Sequence, residues 1–249
     1  MIITTPRDWQ RILHNLEELE AKAVFIIGCG ECATVANTGG EHQVEETKAR
    51  LEAAGYTVTG WSVSRVACHS GGTGLALRKH KVDVTGADAV LVMACGAGVQ
   101  TVAEATVVPT LPALESAFLG NVVRHGVFEE RCSMCGDCVL DATAGICPVT
   151  TCPKGLLNGP CGGMWKGKCE VLADRDCTFV QINRRLAQQG RGPASRIVAP
   201  KDFSKHLKPG SVDMRHARPK QPKGTAGHAS PAEAAGASGS APDASGGGS

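Results

Sequence analysis

Residues 23–32 read AVFIIGCGEC, a five-residue apolar run that breaks on glycine and on two cysteines three positions apart. A run this short, rich in β-branched residues and closed by glycine, predicts a buried strand rather than a helix. Two further runs, YTVTGWSV (56–63) and AVLVMA (89–94), read the same way, and HQVEETKARLEAAG between the first two reads as an amphipathic helix. Strands alternating with helices predict an α/β fold, an open parallel sheet with helical crossovers of flavodoxin-like or Rossmann-like type. Upstream, Thr5-Pro6 reads as a helix start, with Trp9, Ile12, Leu13, Leu16 and Leu19 following at helical spacing.

Each of the three strands leads into cysteine: Ile27 to Cys29 and Cys32, Val63 to Cys68, Met93 to Cys95. The carboxyl ends of parallel strands share one edge of the sheet, so these four cysteines are expected to converge into one four-cysteine site. The competing reading of GCGECATVANTGG is a nucleotide loop. It fits poorly: Ala33 satisfies the looser form of the fingerprint, but Cys68 stands where the second strand would supply an acidic residue. His69 is a candidate ligand or proton donor, set against the commoner role of a surface or packing histidine.

The chain has 249 residues, 42% of them hydrophobic, and twelve cysteines. The opening residues MIITTPRDWQ lack the apolar run of an export signal, and no stretch is apolar for long enough to span a bilayer. A cytoplasmic, reducing location follows as the expectation, where so many thiols serve metals rather than disulfides. The net charge of +2 gives no long-range reason to expect nucleic acid. The expected organisation is an α/β domain over residues 1–121, a small irregular cysteine-rich module over 122–195, and a tail over 196–249. The tail is first basic and proline-rich, then almost wholly Gly, Ala, Ser and Pro, a composition that cannot bury enough surface to fold. A helix over residues 177–187, broken by Gly190 to Pro193, is expected to close the module.

The densest signal in the module is CSMCGDC, with Cys132, Cys135 and Cys138 at two-residue gaps, the ligand run of bacterial ferredoxins. Eight residues intervene before Cys147-Pro148 where a ferredoxin has three, so the fourth ligand is not fixed by spacing. Cys152, Cys161, Cys169 and Cys177 complete a set of eight, enough for two four-cysteine sites of open pairing. Iron–sulfur cubanes and tetrahedral zinc both use such thiolates, and spacing does not separate them. Lys154, Lys166 and Lys168 are candidates to stabilise reduced clusters or meet an acidic partner, against the default of solvated lysines. No Ser-His-Asp or paired-carboxylate arrangement can be assembled from local motifs.

The stretch CSMCGDCVLDATAGICPVTTCPKGLLNGPCGGMWKGKCEV closely resembles the cysteine-rich, MetV-type subunit that accompanies methylenetetrahydrofolate reductase in acetogens and other anaerobes, whose modules form a methylenetetrahydrofolate reductase C-terminal domain family. The resemblance covers roughly residues 1–190, and CP-x-x-x-CPKGLLNGPCGG is its most specific part. It implies a flavin-containing, TIM-barrel partner that reduces methylene-tetrahydrofolate to methyl-tetrahydrofolate, fed with electrons by two to three [4Fe-4S] clusters in this chain, with a further electron-donor subunit upstream. The family includes zinc-containing members, which implies zinc at one site as the alternative. The resulting expectation is an iron–sulfur electron-transfer subunit of an oxidoreductase complex, not catalytic alone. Its alternatives are a non-redox zinc subunit that stabilises or regulates the reductase and, more remotely, an N-terminal domain that binds a corrinoid or nucleotide.

Overall fold

The apolar runs form the centre of a four-stranded parallel sheet in a computed structural model that describes residues 1–194, 197–206 and 208–214. Strand β1 spans Ile2–Pro6, helix α1 Trp9–Glu18, β2 Ala23–Cys29, helix α2 Cys32–Val35, α3 Glu41–Ala53 and β3 Thr57–Ser64. Then follow α4 (Ser70–Lys79), α5 (Lys81–Thr85), β4 (Ala89–Met93), α6 (Gly96–Ala105) and β5 (Thr110–Pro112). The order across the sheet is β3-β2-β4-β5. The chain thus steps outward to β3, crosses back over β2 to β4 and continues to β5, the order of doubly wound sheets of the flavodoxin type. Right-handed crossovers in opposite directions put helices on opposite faces. Accordingly α3 packs on β2 and β3, whereas α4 packs on α6.

Burial follows from this order. Val24, Phe25, Ile26 and Ile27 of β2 and Ala89 to Val92 of β4 are fully buried, as continuous apolar strands covered on both faces must be, whereas β3 at the edge is only half-buried. Asp88, just before β4, accepts hydrogen bonds from the Lys22 and Ala23 N–H groups at 2.8 Å each, pinning the start of β2. These bonds, that of Lys22 first, hold its carboxyl below the usual carboxylate range.

A second sheet was not foreseen. Strand β6 (Leu114–Arg124) pairs antiparallel with β1 on one side and with β7 (Val127–Cys132) on the other, in a stretch for which the sequence pattern predicts no strand. Only one residue, Ala113, separates β5 from β6: its N–H bonds Val92 in the parallel sheet and its carbonyl accepts from Arg7 beside β1. Polar alternation disguised these strands, because β6 buries only Leu114 and Gly120. The first helix also starts later than its proline suggests. Thr5-Pro6 ends β1, and Asp8 caps α1 by accepting the Arg11 N–H at 3.0 Å.

Helices α7 (Pro148–Thr151) and α8 (Thr178–Gln188) lie in the cysteine-rich part, α8 covering the expected closing helix. Among the described residues there are two apolar clusters: a large one around β2 and β4, and a small one of Ala144, Cys177, Phe179, Ile182 and Leu186. Residues Met1–His206 form one compact unit, which contains both, and the short helix Phe203–His206 belongs to it. Of the other unit, Leu207–Ser249, residues 208–214 alone are described, and the tail expected beyond them lies outside the described residues.

Candidate metal centres

The N-terminal cysteines are delivered by three neighbouring strand ends. Cys29 closes β2 and is buried, Cys32 opens α2, Cys68 follows β3 two residues before α4, and Cys95 caps the start of α6 after β4. Cys29 is in register with Ser64 of β3, and Gly28 with Met93 of β4. Burial pushes the Cys68 thiol up, and the thiolate charges of Cys95, Cys29 and Cys32 push it further. Cys29, Cys32 and Cys95, at neighbouring strand ends, thus lie close enough to Cys68 for their charges to act on it. Such a crowd of like charge calls for a cation, or for donors such as the N-termini of α4 and α6.

The surrounding glycines are consumed by packing. A Cβ on Gly39 would stand 2.1 Å from the Met93 carbonyl oxygen, and one on Gly28 would stand 2.5 Å from that of Gly39. Gly39 in turn accepts the Cys29 N–H at 2.9 Å. The glycine-rich run thus lets the chain fold on itself beneath the cysteines, which accounts for its composition without a phosphate. Thr34 donates to the Cys29 carbonyl at 2.7 Å, and Thr4 bonds Thr38 at 2.6 Å, tying the second sheet to this loop. Ser116 of β6 accepts the Gly96 N–H at 2.9 Å and so steadies the Cys95 turn. Nothing local in the sequence marks Ser116 for that role. His69 caps α4, its Nδ1 accepting from the Gly72 N–H at 3.0 Å.

Cys132 ends β7, and the loop beyond it turns through positive φ at Met134 and Gly136, aiming the Met134 N–H at the Cys132 sulfur at 3.3 Å. Cys135 reaches the Asp137 carbonyl, Cys138 is exposed, and Cys147 caps α7 with Thr150 3.5 Å from its sulfur. Backbone and hydroxyl donors to sulfur are the contacts that steady thiolate ligands.

The later four, Cys152, Cys161, Cys169 and Cys177, line a single cavity of about 20 Å³. That volume admits one water-sized body. Leu156, Met164 and Phe179 supply apolar wall, and two glycines of the NGPCGG stretch are closely approached: a Cβ on Gly159 would stand 2.3 Å from the Phe179 ring, and one on Gly163 would stand 1.9 Å from Glu170. Trp165 to Lys168 forms a tight hairpin with positive φ at Lys166 and Gly167, which returns the chain so that Cys169 N–H bonds the Arg175 carbonyl. Lys168 is ion-paired with Asp176 at 2.9 Å and Lys154 with Glu170. Glu170 escaped the sequence reading because it carries no motif of its own.

Among the described residues, no group of three or more His, Cys, Asp or Glu side chains stands in the geometry of a single bound ion. Gathering and closure are separate steps, since ligating thiols must lose protons and are drawn together by the metal they bind. The donor set fits a thiophilic centre on two counts. The candidate donors are soft sulfur, from twelve free cysteines. The small cluster of five buried residues is also too little apolar core for the module, the usual situation in which a metal supplies cross-links.

No helix among the described residues is long and apolar enough to cross a membrane. No curated protein matches the chain. Among solved structures it is similar to an unliganded arylmalonate decarboxylase, at 16% identity over 42% of this chain and 46% of that one with a TM-score of 0.30. It is also similar to a LacI family transcriptional regulator from Arthrobacter sp. FB24 in complex with lactose, at 14% identity over 39% and 34% with a TM-score of 0.28. The chain thus spans less than half of either, and neither likeness fixes the fold. Residues 111–204, from β5 through the second sheet and the C-terminal cysteines to the short helix at Phe203, match the family described as methylene-tetrahydrofolate reductase C terminal, which links this part of the chain to that reductase.

Proposed function

We propose that the chain is an iron–sulfur electron-transfer subunit that delivers electrons to a flavin-containing methylenetetrahydrofolate reductase, in a cytoplasmic complex fed by a further donor subunit. The observation that carries this reading is the placement of Cys29, Cys32, Cys68 and Cys95 at neighbouring strand ends, with three of them acting electrostatically on Cys68, in the same chain as a cysteine-rich stretch matching the reductase family. In this reading Cys29, Cys32, Cys68 and Cys95 hold one centre, Cys132, Cys135, Cys138 and Cys147 a second, and Cys152, Cys161, Cys169 and Cys177 a third. Thiolate-bound [4Fe-4S] clusters supply one-electron chemistry, which a flavin in a partner can accept. The chain's own residues hold the thiols, donate hydrogen bonds to sulfur and supply charge beside it. The methylene-to-methyl reduction itself is assigned to the partner.

A second reading is supported by the last cavity. About 20 Å³ is room for one ion, and four thiols around it suit tetrahedral zinc, which would make that centre structural rather than a step in the relay. The test for both is reconstitution. The anaerobically purified, reduced chain is mixed with its flavin-containing reductase and the flavin absorbance followed. Bleaching of the flavin is expected; association without flavin reduction would favour the zinc reading, and neither association nor reduction would remove the proposal.

A further inference from the structure

Cys161 has a carboxylate at its sulfur and an ammonium on the far side of that carboxylate. Its thiol donates to Glu170 Oε2 at 3.6 Å, and the same oxygen accepts from the ammonium of Lys154, so that one atom joins the ammonium to the thiol. Glu170 arrives there by crossing Gly163, where any side chain would block it. Lys154, Cys161 and Glu170 come from three different turns of the chain and all line the cavity of four cysteines. A solvated surface ion pair has no need of this arrangement, since it requires neither a bare glycine beneath it nor a thiol bonded to its carboxylate.

We propose that Lys154 is a positioning residue for the metal-bound form of this site, donating an N–H···S hydrogen bond to Cys161 while Glu170 holds its ammonium in place. The inference rests on the reading of Cys152, Cys161, Cys169 and Cys177 as ligands. As the sulfur–metal bond forms, the thiol proton leaves to solvent and the sulfur becomes an anionic acceptor. The sulfur then repels the carboxylate oxygen it had bonded and attracts the ammonium. Glu170 keeps its bond to Lys154 and so turns from the partner of the thiol into the support of the donor. A cation beside the centre favours its more negative state, so the same contact raises the reduction potential if the centre is a cluster.

The test compares the full-length chain with Lys154→Met, Lys154→Arg, Glu170→Gln and Cys161→Ser, purified without oxygen. The readouts are metal per chain, the rate of metal loss to a chelator, the midpoint potential where the metal is iron, and circular dichroism. Lys154→Met is expected to release one centre's metal about 10–100-fold more readily, the range for loss of an outer contact to a ligand, and to lower that centre's potential. Lys154→Arg should restore most of the retention, Glu170→Gln should fall between, and the other centres and the dichroism should not change. Retention by Lys154→Met at the wild-type level, or equal loss in the Met and Arg variants, overturns the inference. If Cys161→Ser loses no metal, the ligand reading fails and the inference with it; if it loses one centre while Lys154→Met does not, only the inference fails.

Discussion

Gly39→Ala tests whether the glycine loop is the mould on which the N-terminal cysteines are set. The new Cβ would lie 2.1 Å from the Met93 carbonyl oxygen and 2.9 Å from the Ala33 Cβ. Backbone cannot swing aside as a long side chain can, so relieving the first contact to 3.0 Å, the closest that real Cβ atoms reach, moves the loop or the end of β4 by about 1 Å. Overpacking of this kind costs about 1–3 kcal/mol. Displacement also strains the 2.9 Å bond from the Cys29 N–H to the Gly39 carbonyl, worth about another 1 kcal/mol. The expected destabilisation is therefore about 2–4 kcal/mol, read from urea unfolding followed by tryptophan fluorescence and circular dichroism. Gly192→Ala, where a Cβ meets nothing within 4 Å, is the control and should stay within about 0.5 kcal/mol of wild type. In metal-loaded protein the Gly39 variant should also lose the centre at Cys29, Cys32, Cys68 and Cys95 before the others. Stability equal to that of the control would refute the packing argument.

Asp88→Asn should cost stability at neutral pH and little in acid. The folded-state carboxyl titrates below its unfolded value because it accepts the Lys22 and Ala23 N–H bonds, so its contribution is present above the unfolded value near pH 4 and disappears as pH falls through the lower folded one. Denaturant midpoints of the two proteins, measured from pH 7 down to 3, should converge; a constant gap would contradict the assignment. Ile182→Ala, at a fully buried site in the small apolar cluster, should destabilise the cysteine-rich part by about 2–5 kcal/mol, checked by hydrogen exchange resolved along the chain, with protection around β2 and β4 retained. Cys135→Ser should strip one C-terminal centre and leave the centre at the parallel sheet, as counted by metal analysis; equal loss from both would sink the assignment of separate sites.

The parallel sheet was legible because burial on both faces forces strands such as AVFII and AVLVM into unbroken apolar runs, and because their shared orientation puts whatever follows them on one edge. The placement of Cys29, Cys32, Cys68 and Cys95 just past neighbouring strand ends therefore followed from topology. The antiparallel sheet was not legible, since β6 and β7 keep mostly polar, exposed side chains and β1 is a five-residue strand ending in a proline that also reads as a helix start. Spacing marked the eight later cysteines but not their grouping. The shared cavity of Cys152, Cys161, Cys169 and Cys177 arises from contacts across the Trp165–Lys168 hairpin and beneath Phe179, which depend on glycines whose partners are distant in the chain. Ser116 and Glu170 were invisible for the same reason: each acts on a cysteine segment through space, with no motif to announce it.

The central claim is that these thiols hold redox-active iron. Iron, zinc and acid-labile sulfide are measured on protein purified without oxygen, with electron paramagnetic resonance before and after dithionite. The account predicts iron with matching sulfide and signals that appear on reduction, with zinc confined to at most one centre. Zinc with little iron or sulfide, and no signal after reduction, would contradict an electron-transfer role.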